Sequence, residues 1–169
     1  VSVLLGDGTG GFGAKTEFAT GMNPQSVAIE DLNGDGWADL AVANYSYPST
    51  VSVLLGNGAG GFGPKTDFAT GSYCMYVAIA ELDGDGNPDL AVANNVGSIS
   101  VLFGDGAGGF SPKTDLPTNP STVSLAVGDL NGDGNADLMA SSGSGLVSVL
   151  LGNGAGGFGP KTDFAAGPT

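Results

Sequence analysis

Residues 27–44 read Val-Ala-Ile-Glu-Asp-Leu-Asn-Gly-Asp-Gly-Trp-Ala-Asp-Leu-Ala-Val-Ala-Asn, an acidic and glycine-bearing block between two short apolar runs. The nine-residue acidic block within it, residues 31–39, returns at 81–89 and at 129–137, at successive intervals of 50 and 48 residues. The chain is therefore a tandem repeat with a unit of about 48 residues, and periods of this size are typical of propellers and solenoids.

A second motif recurs with the same period and extends the repeat over the rest of the chain. It reads Val-Ser-Val-Leu-Leu-Gly at residues 1–6 and returns, with small changes, at residues 51–56, 99–104 and 147–152. The short apolar runs of the first whole unit are Val27–Ile29, Leu40–Ala43, Val51–Leu55 and Lys65–Phe68. Runs this short, rich in Val, Ile and Leu and bounded by Gly, Asn, Asp and Pro, favour strands over helices.

Four antiparallel strands per unit of this length predict a β-propeller blade. Counted from Val1, the pattern predicts an all-β chain of fourteen strands with almost no helix, or about three and a half blades. The predicted ranges are 1–21 for an outer half-blade and 22–71, 72–118 and 119–169 for three complete blades.

A propeller blade has two apolar faces and buries them only by stacking on its neighbours. Because propellers normally close with four or more blades, we expect a partial propeller. Further blades of a longer parent chain, or self-association, would complete it. An uncovered half-blade would otherwise expose a strand edge.

The acidic blocks contain ten of the seventeen acidic residues, and their spacing predicts a metal site. Oxygen-bearing side chains recur at positions 1, 3, 5 and 9, and glycines at positions 4 and 6 let the backbone curl until these oxygens converge. Oxygen ligands without nitrogen or sulfur are typical of Ca²⁺. With the backbone carbonyl at position 7, the candidate ligands are Asp31, Asn33, Asp35, Trp37 and Asp39; Glu81, Asp83, Asp85, Asn87 and Asp89; and Asp129, Asn131, Asp133, Asn135 and Asp137. We expect about three Ca²⁺, one in each complete blade.

Two alternatives fit part of the acidic pattern. An EF-hand needs a Glu at position 12 and a helix on each side, but position 12 is Val42, Val92 or Ala140 inside an apolar run, which excludes it. Simple Asp-Gly or Asn-Gly turns would also suit a hairpin. Packing three or four carboxylates into one turn without a cation is costly because like charges repel, and this disfavours simple turns.

The blocks resemble the DxDxDGxxD calcium loops of FG-GAP repeats, the blades of integrin α-subunit propellers. They are still more similar to the VCBS-type FG-GAP-like repeats of bacterial surface and secreted proteins, and the resemblance covers essentially the whole chain. It implies that the side chains at positions 1, 3, 5 and 9 bind Ca²⁺. Two features depart from the pattern: Glu81 stands at position 1 of the second block, and Ala41–Asn44 replaces the usual Gly-Ala-Pro.

Composition excludes several functions. The 169 residues include four lysines, no arginine and no histidine, and the formal net charge is −13. Without histidine there is no Ser-His-Asp or Cys-His catalysis and no His-ligated zinc. Four cations cannot neutralise a phosphate backbone, so we expect no nucleic-acid partner. One cysteine allows no internal disulfide, and no apolar run reaches the roughly 18 residues of a membrane span.

Two further residue types recur in each glycine loop, three residues apart. We expect the aromatic residue to anchor one blade on the next and the lysine to be structural. The aromatic residues are Phe12, Phe62, Phe110 and Phe158, and the lysines are Lys15, Lys65, Lys113 and Lys161. The Gly-x-Gly-x-x-Gly spacing of residues 6–11 formally matches a dinucleotide fingerprint, but that fingerprint requires a following helix, which the sequence does not supply.

The four tyrosines are placed in the loops that follow even-numbered strands, on the face opposite the acidic loops. They are Tyr45, Tyr47, Tyr73 and Tyr76. Tyrosine is favoured in recognition surfaces, so these rings are candidate ligand contacts; the alternative is that they only cover a blade junction.

The sequence thus predicts a calcium-stabilised extracellular module for adhesion or protein–protein interaction, displayed at the cell surface or secreted, with a protein or glycan ligand and no enzymatic activity. One alternative is a carbohydrate-binding, lectin-like propeller. Another is a structural subunit that assembles through open half-blades. A third, an enzyme acting on polysaccharide through Asp67 or Asp115, is disfavoured because almost all acids belong to the acidic loops or recur in every unit.

Overall fold

A computed structural model describes residues 1–167 of the chain, and within them every regular element is a β-strand. The strands are β1 (Ser2–Val3), β2 (Thr16–Glu17), β3 (Pro24–Glu30), β4 (Asp39–Asn44), β5 (Thr50–Leu54), β6 (Thr66–Ala69), β7 (Cys74–Ala80), β8 (Asp89–Asn94), β9 (Ser98–Leu102), β10 (Thr114–Pro117), β11 (Thr122–Gly128), β12 (Asp137–Ser142), β13 (Leu146–Leu150) and β14 (Thr162–Ala165). This confirms the prediction of an all-β chain with fourteen strands.

The strands form one two-stranded sheet, β1–β2, and three four-stranded sheets, β3–β6, β7–β10 and β11–β14. Within each sheet, strands that follow one another in sequence pair antiparallel, so each sheet is an up-and-down meander. Three four-stranded meanders preceded by a two-stranded one confirm a partial β-propeller-like fold. The four sheets lie within the four ranges given by the sequence, 1–21, 22–71, 72–118 and 119–169. Residues 168–169 of the last range lie outside the described part of the chain.

The hydrophobic core lies between successive sheets rather than inside any one of them. Leu32, Val51 and Val53 of the first four-stranded sheet pack with Val77 and Leu90 of the second. An equivalent cluster joins the second sheet to the third, and a smaller one joins β1–β2 to the first four-stranded sheet. Strands β4 and β8 are buried over their whole length because a sheet covers each of their faces.

Edge-to-face aromatic pairs link consecutive sheets at the glycine loops. Phe62 packs on Phe18 of the preceding sheet with ring centroids 5.2 Å apart, and Phe110 packs on Phe68 at 5.3 Å. Phe158 packs against the cluster between the second and third four-stranded sheets. These three rings confirm the predicted anchors. The prediction is wrong for Phe12, which is exposed because the described residues place no sheet on that side.

Candidate metal centre

Each acidic block joins the first strand of a four-stranded sheet to the second. Residues 31–39 lead from β3 into β4, and the blocks at 81–89 and 129–137 lead from β7 into β8 and from β11 into β12. Position 9 is the first residue of the second strand, and position 12 lies inside that strand. No helix flanks a block in the described residues, which agrees with the exclusion of an EF-hand.

The carboxylate at position 9 is completely buried and connects two loops. Asp39 Oδ2 accepts a hydrogen bond from Leu32 N at 2.9 Å, and its Oδ1 accepts one from Gly56 N at 2.7 Å. Equivalent bonds, all of 2.8 Å, reach Asp89 from Leu82 and Gly104 and reach Asp137 from Leu130 and Gly152. Each position-9 carboxylate therefore fixes the acidic loop to the glycine loop that follows the third strand.

The glycine at the end of the third strand is a functional residue that the sequence analysis missed. A Cβ added at Gly56 would lie 2.1 Å from the carbonyl oxygen of Ala38, so only glycine allows this approach of the two loops. The same crowding occurs at Gly104, from Pro88, and at Gly152, from Ala136. The recurrence of this glycine in every unit was the signal that could have identified it.

Position 1 is surrounded by backbone amides of its own loop. Asp31 Oδ1 accepts from Gly34 N at 2.8 Å and Oδ2 accepts from Gly36 N at 2.7 Å, and Asp129 is bonded in the same way to Gly132 and Gly134. The hydrogen bond from Gly36 is the main reason why the pKa of Asp31 is lowered. Asp31 and Asp129, whose pKa values are both lowered by such bonds, thus remain carboxylates at neutral pH, the form in which they would bind a cation.

The second acidic loop differs from the other two at position 1, where Glu81 has one methylene more than the aspartates there. Its Oε1 accepts from Asp83 N at 2.9 Å and from Gly84 N at 2.6 Å. Among the described contacts, the amide of Gly86 makes no bond to residue 81, whereas the matching amide in the other two loops bonds to position 1. The longer side chain therefore satisfies fewer amides.

In the second loop the carboxylates also converge. One oxygen each from Glu81, Asp83 and Asp89 lie within 4.8 Å of one another. Oxygens bound to one Ca²⁺ at 2.3–2.6 Å lie at most about 5 Å apart, so this separation fits a shared cation. Burial, followed by the charges of Asp85 and Glu81, raises the pKa of Asp83. A bound cation would offset that like-charge repulsion.

Positions 3, 5 and 7 fold over the loop through hydrogen bonds of their own. Asn33 Nδ2 donates to Asp35 Oδ2 at 3.0 Å, and Trp37 N donates to Asp35 Oδ1 at 2.8 Å. The third loop repeats these bonds at Asn131, Asp133 and Asn135, and in the second loop Asn87 N donates to Asp85. All fifteen candidate groups are oxygen donors, so the residues fit Ca²⁺ chemistry; their coordination of a metal stays a prediction.

The raised pKa of Asp89 indicates how the stability of the metal-free protein changes with pH. Its burial, reinforced by the charges of Asp83 and Asp85, raises its pKa from 3.8 to about 6 despite the hydrogen bonds from Gly104 and Leu82. A raised carboxyl pKa stabilises the fold below the unfolded-state pKa, and that stability is lost as pH rises through about 6. With chelator present, we expect the free energy of unfolding to fall by roughly 2 kcal/mol between pH 4.5 and 7.5.

Urea denaturation at a series of pH values in chelator measures this change. The variant Asp89→Asn should be less stable at every pH, because an amide cannot accept from both backbone N–H groups, but its stability should change much less between pH 4.5 and 7.5. A wild-type slope that persists unchanged in Asp89→Asn would assign the effect to other groups.

The repeated lysines stand one residue before the last strand of their sheet and form ion pairs with the carboxylate two residues further on, which fits the predicted structural role. Lys161 Nζ lies 2.6 Å from Asp163 Oδ2, and Lys65 and Lys113 pair in the same way with Asp67 and Asp115. The serine hydroxyls of the third strand, Ser52, Ser100 and Ser148, donate to these same carboxylates at 2.6–2.8 Å. The carboxylates of the enzymatic alternative are therefore held by structural contacts.

Three of the four tyrosines form one cluster, in which Tyr47 and Tyr73 are exposed and Tyr45 is half-buried. The ring of Tyr73 lies 5.1 Å from that of Tyr45 and 6.5 Å from that of Tyr47, between centroids. Tyr73 adopts a φ of 59°, in the left-handed region that non-glycine residues rarely occupy. Tyr76 was predicted to lie in the connecting loop, and this is wrong: it lies inside β7, because the strand begins at Cys74.

The stacked four-stranded meanders and their shared core define a β-propeller-like repeat protein. The sequence profile of the FG-GAP-like repeat matches residues 1–42, 31–92 and 82–140. The chain therefore belongs to the FG-GAP-like repeat family, and as such it is a β-propeller-like protein-interaction module. A comparison with curated proteins found no match. Within residues 1–167, the structure has no helix with the length and apolar character needed to cross a membrane.

Proposed function

We propose that the chain is a calcium-stabilised, extracellular and non-catalytic module for adhesion or protein–protein interaction. The observation that carries the proposal is the acidic loop itself. Each complete blade places an oxygen-only donor set at the same point of the sheet, and in each loop the buried position-9 carboxylate already joins two loops. A cation bound there would stabilise the connection between the first two strands and the third.

Calcium also suits the charge and the proposed location. Three Ca²⁺ would change the formal net charge of the chain from −13 to −7. Sites in extracellular modules bind Ca²⁺ with dissociation constants of about 10⁻⁴–10⁻³ M, so they are occupied at the calcium levels found outside cells. A module that depends on such sites would be folded most stably after secretion or at the cell surface.

The absence of catalysis is supported by how the carboxylates are used. Asp67, Asp115 and Asp163 are paired with lysine and serine, and the position-9 aspartates are buried and accept two backbone hydrogen bonds each. General acid–base catalysis needs a carboxyl group that reaches a substrate. These carboxylates instead make ion pairs and hydrogen bonds that hold the fold together.

The tyrosine cluster, defined as Tyr45, Tyr47 and Tyr73, is the proposed ligand contact. It lies away from the acidic loops and presents rigid rings with hydroxyl groups at their tips, a combination enriched at the energetic centres of interfaces. The ligand is a protein or a glycan at the cell surface. Exposed rings also stack on the apolar faces of sugars, which is the observation that favours the lectin-like alternative.

The test compares wild-type protein with the double variant Tyr45→Ala/Tyr47→Ala on an array of defined glycans and on a panel of purified extracellular-matrix proteins. In millimolar Ca²⁺, wild type should bind selectively, and the double variant should lose tenfold or more of that binding. Selective glycan binding would identify a lectin, whereas binding to matrix proteins alone would identify an adhesion module.

Tyr76→Ala is the matched control, since its ring pairs with none of the other three tyrosines in the described residues. It should bind like wild type, while chelation of Ca²⁺ should weaken binding by all three proteins. Equal capture by wild type and by the double variant would remove the tyrosine cluster from the proposal.

A further inference from the structure

The chain contains four steps in which an asparagine precedes a glycine. Two lie in acidic loops, Asn33-Gly34 and Asn131-Gly132, and two lie in glycine loops, Asn57-Gly58 and Asn153-Gly154. A glycine loop is defined as the segment between the third and the fourth strand of a sheet. An asparagine at such a step loses ammonia when the glycine nitrogen attacks its side-chain carbon Cγ, and glycine has no Cβ to obstruct the approach. The four steps share this chemistry, so differences between them depend on the contacts of each loop.

The attacking nitrogen is held in the acidic loops and is available in the glycine loops. Gly34 N donates to Asp31 Oδ1 at 2.8 Å, and the third acidic loop repeats this bond at 2.7 Å. Within residues 1–167, neither Gly58 N nor Gly154 N donates a hydrogen bond. Attack requires loss of the N–H proton, and a neighbouring carboxylate opposes the negative charge that this loss creates. The folded acidic loop therefore restrains the nucleophile.

The carbonyl group under attack is better polarised in the glycine loops. Asn57 Oδ1 accepts from Ala59 N and from Gly61 N, both at 3.0 Å, and the last glycine loop repeats the two bonds at 2.9 Å. In the first acidic loop, Asn33 Oδ1 accepts from a single amide. The attack moves the carbonyl electrons onto Oδ1. Two N–H donors aimed at that atom stabilise the charge that develops on it, as in an oxyanion hole.

Two other glycine loops already have an aspartate at this position, namely Asp7 and Asp105. Asp105 Oδ1 accepts from Ala107 N at 2.8 Å and from Gly109 N at 2.9 Å, the same pair of bonds that Asn57 makes. The bond from Ala107 is the main reason why the pKa of Asp105 is lowered. The amides of the glycine loop therefore stabilise negative charge on this oxygen, and an aspartate fits the loop.

The leaving nitrogen also differs between the two kinds of loop. Asn33 Nδ2 donates to Asp35 Oδ2 at 3.0 Å, and the third acidic loop has the equivalent bond at 2.9 Å. In the described part of the chain, Nδ2 of Asn57 and of Asn153 donates no hydrogen bond, and both side chains are exposed to water. A nitrogen that leaves as ammonia departs more readily when no carboxylate holds it.

We propose that the glycine loops make Asn57 and Asn153 sites of self-modification by deamidation. Gly58 N bonds to Cγ of Asn57 and gives its proton to solvent. The bond from Cγ to Nδ2 then breaks, and the nitrogen takes a proton from water and leaves as ammonia. Water opens the resulting succinimide at either carbonyl and gives aspartate or isoaspartate, with no oxidation or reduction. Two such events would change the formal net charge from −13 to −15. The reaction depends on neither a bound cation nor the tyrosine cluster.

The test incubates the whole folded protein in mildly alkaline buffer and follows each asparagine by mass spectrometry of protease fragments prepared at acidic pH. Asn57 and Asn153 should convert roughly tenfold or more faster than Asn33 and Asn131. The order should be the same in chelator as in Ca²⁺, so that a cation on the acidic loops is not its cause. In urea the four rates should become similar, because every one of these asparagines precedes a glycine.

Two substitutions create new asparagine–glycine steps and form a matched pair. Asp105→Asn places an asparagine in a glycine loop, and Asp83→Asn places one in the second acidic loop, where Gly84 N donates to Glu81 at 2.6 Å. In the folded protein, the new asparagine at 105 should revert to aspartate at a rate close to that of Asn57. The one at 83 should be roughly tenfold slower or more.

Equal rates at all four natural steps in the folded protein would overturn the proposal, because the reaction would then proceed through the unfolded chain. Faster conversion in the acidic loops, or equal rates for the two new asparagines, would overturn it as well. The product mimic Asn57→Asp should melt like wild type, as the aspartates of the equivalent loops lead us to expect; a large loss of stability would contradict the fit of the product. None of these outcomes requires calcium or ligand binding, so this inference and the proposed function fail independently.

Discussion

Transfer of the protein from 10 mM Ca²⁺ into chelator is expected to lower its free energy of unfolding by about 4–8 kcal/mol. A ligand that binds only the folded state stabilises it by RT ln(1 + [L]/Kd). With dissociation constants of about 10⁻⁴–10⁻³ M, 10 mM Ca²⁺ is a ten- to hundredfold excess and contributes about 1.4–2.7 kcal/mol for each site. Three similar loops multiply this effect, although Glu81 would make the second loop differ from the other two.

Calorimetric melting in chelator, in Ca²⁺ and in Mg²⁺ at equal ionic strength measures this stabilisation. Mg²⁺ should stabilise much less, because it requires a small octahedral site and retains its water. Asp129→Ala should remove about one third of the calcium increment by disabling one loop. Asp105→Asn is the matched control: Asp105 lies in a glycine loop, where Asn57 and Asn153 hold the same position in other units, and its substitution should leave the increment unchanged. Equal melting temperatures in Ca²⁺ and chelator would contradict the proposed sites.

The fold was predictable because the information is local and repeated. Four short apolar runs in each unit specify four strands, and an Asp-x-Asn-Gly-Asp-Gly turn specifies a hairpin between the first two. Continuous apolar composition in residues 40–43 indicates a strand covered on both faces, and β4 is buried throughout. Because the unit repeats and each unit stacks on an equivalent neighbour, the structure predicted for one unit applies to the whole chain.

What the sequence did not reveal depends on contacts between units or between distant loops. Whether Asp39 binds a cation or accepts backbone hydrogen bonds cannot be read from its spacing; the contact with Gly56 arises from the register of β4 on β5. Tyr76 belongs to a strand because β7 starts earlier than its apolar pattern indicates. Phe12 repeats the motif of the other anchors, yet only the presence of a neighbouring sheet decides whether such a ring is buried.

Leucine at position 2 of the acidic loops allows the stacking itself to be tested within one molecule. Leu82 is 3% exposed and packs in the cluster between the second and third four-stranded sheets, whereas the equivalent Leu130 is 51% exposed. Truncation of a buried leucine removes its transfer free energy and leaves a cavity, so we expect Leu82→Ala to lower the free energy of unfolding by about 3–5 kcal/mol. Leu130→Ala should cost roughly 1 kcal/mol or less, because water already reaches most of that side chain.

The comparison is informative because the two leucines hold the same position in equivalent loops, and the backbone N–H of each donates to the position-9 aspartate at 2.8 Å. Within residues 1–167, a following sheet covers Leu82 but not Leu130. Their neighbours in sequence also differ, Glu81 and Asp83 against Asp129 and Asn131. Urea denaturation of both variants at low protein concentration measures the two costs, and Leu32→Ala, buried like Leu82, should behave like Leu82→Ala. If Leu130→Ala were as destabilising as Leu82→Ala, the third four-stranded sheet would have to be covered in solution. A cost that declines on dilution would then identify another copy of the chain as the cover, since only an intermolecular contact depends on concentration.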